Sequence, residues 1–202
     1  MPKMGCINIH PARLPKDRGP NPTYWAVKRG DSKAFTTVHY IDEGMDTGDI
    51  ITTKSADIAG MTGYEVNKLM MDVGTTLFKK EYPKIISKTN TRFKQDHGQA
   101  TCNVAFVNNM RYVRWNMPAR LILGHIRAHA APYAGSLACT QNGTEIVINE
   151  AKILDQARTS DGPGSYNMTS GGLVVQTHDR PILITHYVEP CLKKGRFIAG
   201  MP

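Results

Sequence analysis

The chain has 202 residues, a formal net charge of +8, 41% hydrophobic residues and 21% charged residues, which suits one large or two small folded units and excludes a fibrous or fully disordered polypeptide. No apolar run approaches the roughly 18 residues of a membrane span, and no basic start followed by an apolar block marks a secretion signal, so a cytoplasmic protein without a membrane partner is expected. Cys6, Cys102, Cys139 and Cys191 lie far apart without a Cys-x-x-Cys pair, which argues against a zinc site or a disulfide framework, and the positive charge is spread along the chain, favouring a polyanionic or nucleotide-like partner without selecting one.

The first predicted element is a short apolar strand over residues 4–9, stopped by Pro11. A Pro/Gly-rich loop at 11–22 leads into a short helix at 23–28, followed by strands at 35–41 and 50–58. A long helix starts at Thr62, where Thr62 and Glu65 have capping-box spacing and Val66, Leu69, Met70, Val73 and Leu77 recur on one face. Residues 89–99 are polar and basic and read as a linker, dividing the chain into a domain over 1–88 and a second over 100–202. In the second domain a segment at 111–115 precedes a helix opened by Pro118 and stopped before Pro132. Short strands at 136–140, 145–153, 172–177 and 182–187 follow, separated by Asn142-Gly143, Asp161-Gly162-Pro163-Gly164 and Gly171-Gly172, and suggest a small barrel.

The chemistry is concentrated in the first domain. Asn8 and His10 are two residues apart on a strand and project from one face, while Ile7 and Ile9 project from the other. With Asp46 they offer an amide, an imidazole and a carboxylate, the set that holds a carbonyl oxygen as it turns negative and handles the proton of an attacking amine. Singly, each also suits a structural role at a strand end or turn. Gly44 and Gly48 bracket Asp46 and would let the backbone approach a planar ligand, or would simply form a turn. Trp25 is read as a packing residue and His39 as either a surface or a core residue of its strand; His125 and His129 have metal-binding spacing but no Glu or Cys to complete a site. Lys193, Lys194 and Arg196 are read as solvated.

These residues carry a resemblance. Ile7-Asn8-Ile9-His10-Pro11 with Leu14-Pro15 and Arg18-Gly19, then Thr37-Val38-His39-Tyr40-Ile41-Asp42-Glu43-Gly44-Met45-Asp46-Thr47-Gly48-Asp49-Ile50, and finally the run from Ile126 to Gly135, resemble the folate-dependent formyltransferases, which act on methionyl-tRNA or on nucleotide-linked amino sugars. The fold class implied is α/β: a partial Rossmann-like formyltransferase domain followed by a small C-terminal β-barrel of OB-like type. The resemblance implies 10-formyltetrahydrofolate as formyl donor, with no metal. Asn8 would bond the formyl oxygen, His10 would stabilise the oxyanion, and Asp46 would hold that imidazole and organise the water taking the amine's proton. The donor would be bordered by Ala12, Arg13, Leu14 and Pro15 and by Asp42, Glu43, Gly44 and Met45.

The chain departs from the family pattern at Ala12-Arg13, where a Ser and an apolar residue are more usual, and it opens almost on the Asn-x-His strand. The chain therefore resembles a formyltransferase that lacks the N-terminal part of the catalytic domain. The expected consequence is an exposed sheet edge with weak stability or self-association. Formyl transfer to initiator methionyl-tRNA is the leading expectation. Transfer to a nucleotide-linked amino sugar, and an inactive homologue that retains RNA binding through its barrel, remain alternatives.

Overall fold

The structure is a computed structural model, and it describes residues 5–188 and 194–198. The chain divides into two compact units. The first holds residues 1–26, 31–61 and 65–106, and the second holds 27–30, 62–64 and 107–202. Cys191 and Lys193 lie outside the described residues.

The first unit is built on a three-stranded sheet in the order β1-β2-β3, with β1 at Cys6–His10, β2 at Lys33–Ile41 and β3 at Ile50–Asp57. Both pairings are antiparallel. The outer edge of β1 has no strand beside it among the described residues. Between β1 and β2 lies α1, Pro22–Arg29, and after β3 comes α2, Gly63–Ile86. Val66, Met70 and Leu77 are buried on one face of α2, the stripe that the 3.6-residue period predicted. They meet the apolar side of the sheet, where Val38, Ile51, Leu77 and Ile85 form a core joined by Ile7, Tyr40 and Val73. Gly74 stands where helix and sheet come closest: a β-carbon there would lie 2.5 Å from Ile9 Cγ2 and 3.1 Å from Thr36 Cγ2. Alternation along β1 and β2 thus buries Ile7, Val38 and Tyr40 against α2 and turns Asn8, Thr37 and His39 to the opposite face.

The expected linker at 89–99 falls inside this first unit, whose boundary lies at Phe106. Phe93 and Ile50 exchange two backbone hydrogen bonds of 2.9 and 2.8 Å. Asn103 N donates to Arg18 O at 2.8 Å and Arg18 N to Thr101 O at 2.9 Å, so residues 101–103 run beside residue 18.

The second unit contains α3, Ala119–His129, and a six-stranded antiparallel sheet in the order β4-β5-β8-β7-β6-β9. The strands are β4 Ser136–Cys139, β5 Glu145–Ile153, β6 Ser165–Thr169, β7 Gly172–Val175, β8 Ile182–Val188 and β9 Lys194–Arg196. Its two ends meet: Thr140 bridges Phe197, and Ile198 N donates to Cys139 O at 2.9 Å. The sheet therefore curls on itself, as the short strands and frequent turns predicted. The core includes Trp115, Ile122, Ile126, Ile146, Ile148, Leu173, Val175, Ile182, Ile184 and Phe197. Strands β6 and β9 were not foreseen: in Ser165-Tyr-Asn-Met-Thr, which follows a Gly-Pro-Gly turn, only Tyr166 and Met168 mark the inward face, too short an alternation to stand out from the turns around it. Asp179 accepts from Ala119 N at 2.7 Å, capping α3 from a distant loop, and that bond lowers its carboxyl pKa.

Candidate active site

The geometry starts from strand register. Asn8 is paired directly with His39, and His10 with Thr37, across the β1–β2 ladder. Directly opposed residues on one face have neighbouring side chains, so Asn8 Nδ2 lies 3.4 Å from His39 Nε2. The His10 and His39 rings meet edge to face with centroids 6.3 Å apart.

Asp46 is delivered to the same place by the loop between β2 and β3. Its backbone is left-handed, with φ of 56°, a conformation Asp tolerates better than most residues. One carboxylate oxygen accepts from Gly19 N at 2.8 Å and lies 3.6 Å from His10 Nδ1. The other lies 3.4 Å from Asn8 Nδ2 and 3.6 Å from His39 Nε2. The structure thus brings Asn8, His10 and Asp46 together around one carboxylate. Gly48 lets the loop turn back, because a β-carbon there would overlap the Tyr40 carbonyl oxygen.

His10 is 5% exposed and each ring nitrogen faces an oxygen: Nδ1 that of Asp46, and Nε2 the Asp17 carbonyl at 2.9 Å. His39 is 1% exposed. Its Nδ1 lies 2.7 Å from the Tyr40 carbonyl, which can only accept, so Nδ1 carries the proton and Nε2 offers a lone pair to the Asn8 amide. Burial pushes the His39 pKa down, against the opposing pull of the Tyr40 carbonyl and the Asp46 charge. A neutral His39 is the consequence near neutral pH.

The residues expected to border the donor divide into two groups. Ala12 and Leu14 are each 4% exposed and belong to the core; the Ala12 carbonyl accepts from the Thr37 hydroxyl at 2.6 Å. Arg13 is exposed and its guanidinium lies over the Phe35 ring at 5.1 Å, and Pro15 is partly exposed. Asp42, Glu43, Gly44 and Met45 form an open edge in front of Asp46, Met45 being 56% exposed. The Asp42 carboxylate accepts from the Thr47 hydroxyl and from Gly44 N, which lowers its pKa.

Reading the sequence missed His39 and Gln95. His39 is two residues beyond Thr37 in an alternating strand, a signal that places it on the Asn8 face only once the register is known. Gln95, assigned to a linker, is 7% exposed, and its Nε2 donates to the carbonyls of Asp46 at 2.9 Å and Gly48 at 2.8 Å. His125 and His129 are buried in the second unit, where His125 Nε2 lies 2.9 Å from the Arg111 carbonyl and His129 Nδ1 2.9 Å from the His125 carbonyl. They serve as packed, hydrogen-bonded residues of α3. Trp25 donates from Nε1 to the Val104 carbonyl at 3.1 Å and stands edge to face with Tyr24.

Comparison with known proteins bears on the family of the chain. Residues 1–78 match the family model described as "Formyl transferase", and residues 107–194 match "Formyl transferase, C-terminal domain". The chain is 32% identical over 206 residues to a methionyl-tRNA formyltransferase of Clostridium acetobutylicum and 29% identical over 204 residues to that of Clostridioides difficile, in each case over 99% of this chain. It spans 65% of the length of these curated relatives. Its fold is similar to the crystal structure of an N-formyltransferase from Helicobacter canadensis in complex with folinic acid and dTDP-3-aminofucose, with a TM-score of 0.71 at 20% identity over 95% of this chain and 66% of that one. Two matched models in order, over an α/β unit followed by a curled β-sheet, mean that the chain belongs to the formyltransferase family.

Proposed function

We propose that the Asn8/His10/Asp46 site transfers a formyl group from 10-formyltetrahydrofolate to a primary amine, with methionyl-tRNA as the acceptor. The observation that supports this reading is the convergence of an amide and an imidazole from β1 with a carboxylate from the β2–β3 loop on one point. Methionyl-tRNA is favoured by the identity to methionyl-tRNA formyltransferases along 99% of the chain and by the net charge of +8, which suits a polyanion. A nucleotide-linked amino sugar is the second reading, favoured by the fold similarity to an enzyme held with dTDP-3-aminofucose. A cytoplasmic setting follows from either acceptor; no helix among the described residues is long and apolar enough to cross a membrane.

The donor supplies the one-carbon unit, and the residues present fit it: the open edge at Asp42, Glu43, Gly44 and Met45 borders Asp46, with Arg13 and Pro15 accessible and Ala12 and Leu14 forming the wall behind. Asn8 Nδ2 donates to the formyl oxygen as the amine nitrogen adds to the formyl carbon. His10 Nε2 exchanges the Asp17 carbonyl for the same oxygen, whose growing negative charge makes it the better acceptor. Asp46 holds His10 through Nδ1 and accepts the proton shed by the amine through a water. The proton that Asp46 receives from the amine would be the one available to the donor nitrogen as it leaves, so that the formyl group remains on the amine with no net change in protons. The contacts of 3.4 to 3.6 Å among the three side chains are long for settled hydrogen bonds, as is common before substrate arrives.

The test is formyl transfer by His10→Ala and Asp46→Asn with methionyl-tRNA and with a nucleotide-linked amino sugar as acceptors. A loss of roughly a hundredfold or more is expected in both variants, the range for removing an acid–base group or an oxyanion donor. Unchanged turnover in both would remove these residues from the mechanism. RNA binding that ignores both substitutions and weakens steeply with salt, without turnover, would favour the RNA-binding alternative.

A further inference from the structure

The strap of residues 92–103 lies across both loops of the site. Arg92 pairs with Asp49 at 3.3 Å and covers the Tyr40 ring at 3.9 Å. Phe93 is bonded to Ile50, and Thr101 takes the Asp17 amide on its hydroxyl at 2.9 Å. At the centre is Gln95, whose side-chain amide is saturated. Its Nε2 donates to the Asp46 and Gly48 carbonyls, and its Oε1 accepts from Arg18 Nε at 3.2 Å and from a terminal guanidinium nitrogen at 2.6 Å. Chemistry fixes which end faces which partner. A guanidinium only donates and a carbonyl only accepts, so the amide fits in one orientation.

We infer that Gln95, oriented by the buried Arg18, is a positioning residue that locks the main chain of Asp46 and so aims its carboxylate at Asn8, His10 and His39. Asp46 is held at both ends by one short stretch. The Gly19 amide grips its carboxylate at 2.8 Å, while the neighbouring Arg18, 6% exposed, grips its main chain through Gln95. With the carbonyls of residues 46 and 48 both bonded, the left-handed turn at Asp46 is held against relaxation. His97 Nδ1 lies 3.1 Å from the Arg18 guanidinium and completes its surroundings. For the kinetic consequence the inference rests on the formyl-transfer reading; for the placement of Asp46 it does not.

Two variants of the full chain test it. Gln95→Met keeps the length and removes every polar contact. Gln95→Glu keeps the length and the Arg18 contact but turns an acceptor toward two carbonyl oxygens. Amide hydrogen exchange reads the position of Asp46 without any turnover: Gly19, which donates to the Asp46 carboxylate, should exchange at least tenfold faster in both variants. Ile58, whose amide donates to Ser32 O at 2.9 Å elsewhere in the unit, should keep its rate. Turnover should fall tenfold or more with the KM for the formyl donor within twofold. A wild-type Gly19 rate in Gln95→Glu overturns the inference, and so does a rise of Gly19 and Ile58 together, which would mark Gln95 as merely structural. Release of Gly19 in a chain whose wild type transfers no formyl group supports the positioning role while removing the enzyme reading.

Discussion

Acid should loosen the second unit through one histidine pair. Burial pushes the His125 pKa down to about 3, with the His129 charge as the next cause, and burial pushes His129 down to about 4. Both folded values lie below the unfolded value of about 6.5, so the unfolded chain takes up protons that the folded unit refuses. The stability this preserves is complete above about pH 6.5 and is lost as pH falls toward the folded values. At pH 5 an unfolded imidazole is almost fully protonated and a folded one is almost fully neutral, and the loss from pH 7 to pH 5 is about 2 kcal/mol per ring, about 4 kcal/mol for the pair. That is a large share of a domain's usual stability. The chain has two tryptophans, and Trp25→Phe leaves Trp115, 1% exposed and stacked on Phe197 at 5.2 Å, as the reporter of this unit in urea unfolding. His125→Gln retains a donor for the Arg111 carbonyl and removes one titrating ring, so about half of the pH dependence should disappear. An equal pH dependence in the variant and its parent would refute the reasoning.

Two further outcomes concern the first unit. Gly48→Ala sets a β-carbon against the Tyr40 carbonyl oxygen; the loop must shift, and stability should fall by about 1–3 kcal/mol, measured by thermal unfolding, with formyl transfer falling alongside. His39→Phe keeps a ring in a fully buried place but leaves the Tyr40 carbonyl without the imidazole donor at 2.7 Å. Formyl transfer should drop about tenfold for about 1–3 kcal/mol of lost stability, and full turnover in a stable variant would exclude His39 from any part in the site.

The legible portion of this chain was local in origin. The i, i+2 spacing of Asn8 and His10, the apolar stripe of α2 and the turn-punctuated strands of the second unit are set by periods of two or 3.6 residues, and the structure carries all three. What was hidden depends on partners distant in sequence. His39 became part of the site through a ladder register that opposes it to Asn8, and no feature of residues 35–41 alone specifies that register. Residues 89–99 are polar and mostly exposed, as a linker would be, yet one of them is not: Gln95 is buried and spends its amide on the carbonyls of Asp46 and Gly48. Composition does not distinguish a side chain that faces water from one that saturates a buried backbone.

The lengths of the contacts on Asp46 show how its charge is divided between holding and offering. The short bond is to a main-chain donor, Gly19 N at 2.8 Å, and the carbonyl of Asp46 is itself fixed at 2.9 Å by Gln95. The contacts to Asn8, His10 and His39 are all 3.4 to 3.6 Å. A carboxylate anchored by the backbone does not need to reorient when a neighbouring imidazole gains charge, so that charge is stabilised without reorganisation. If the three side chains provided the anchoring instead, each would have to give up a short bond to meet substrate. The division predicts that loss of the main-chain anchor at Gln95 should cost turnover at least as much as loss of His39, about tenfold, even though no atom of Gln95 reaches the reacting carbon.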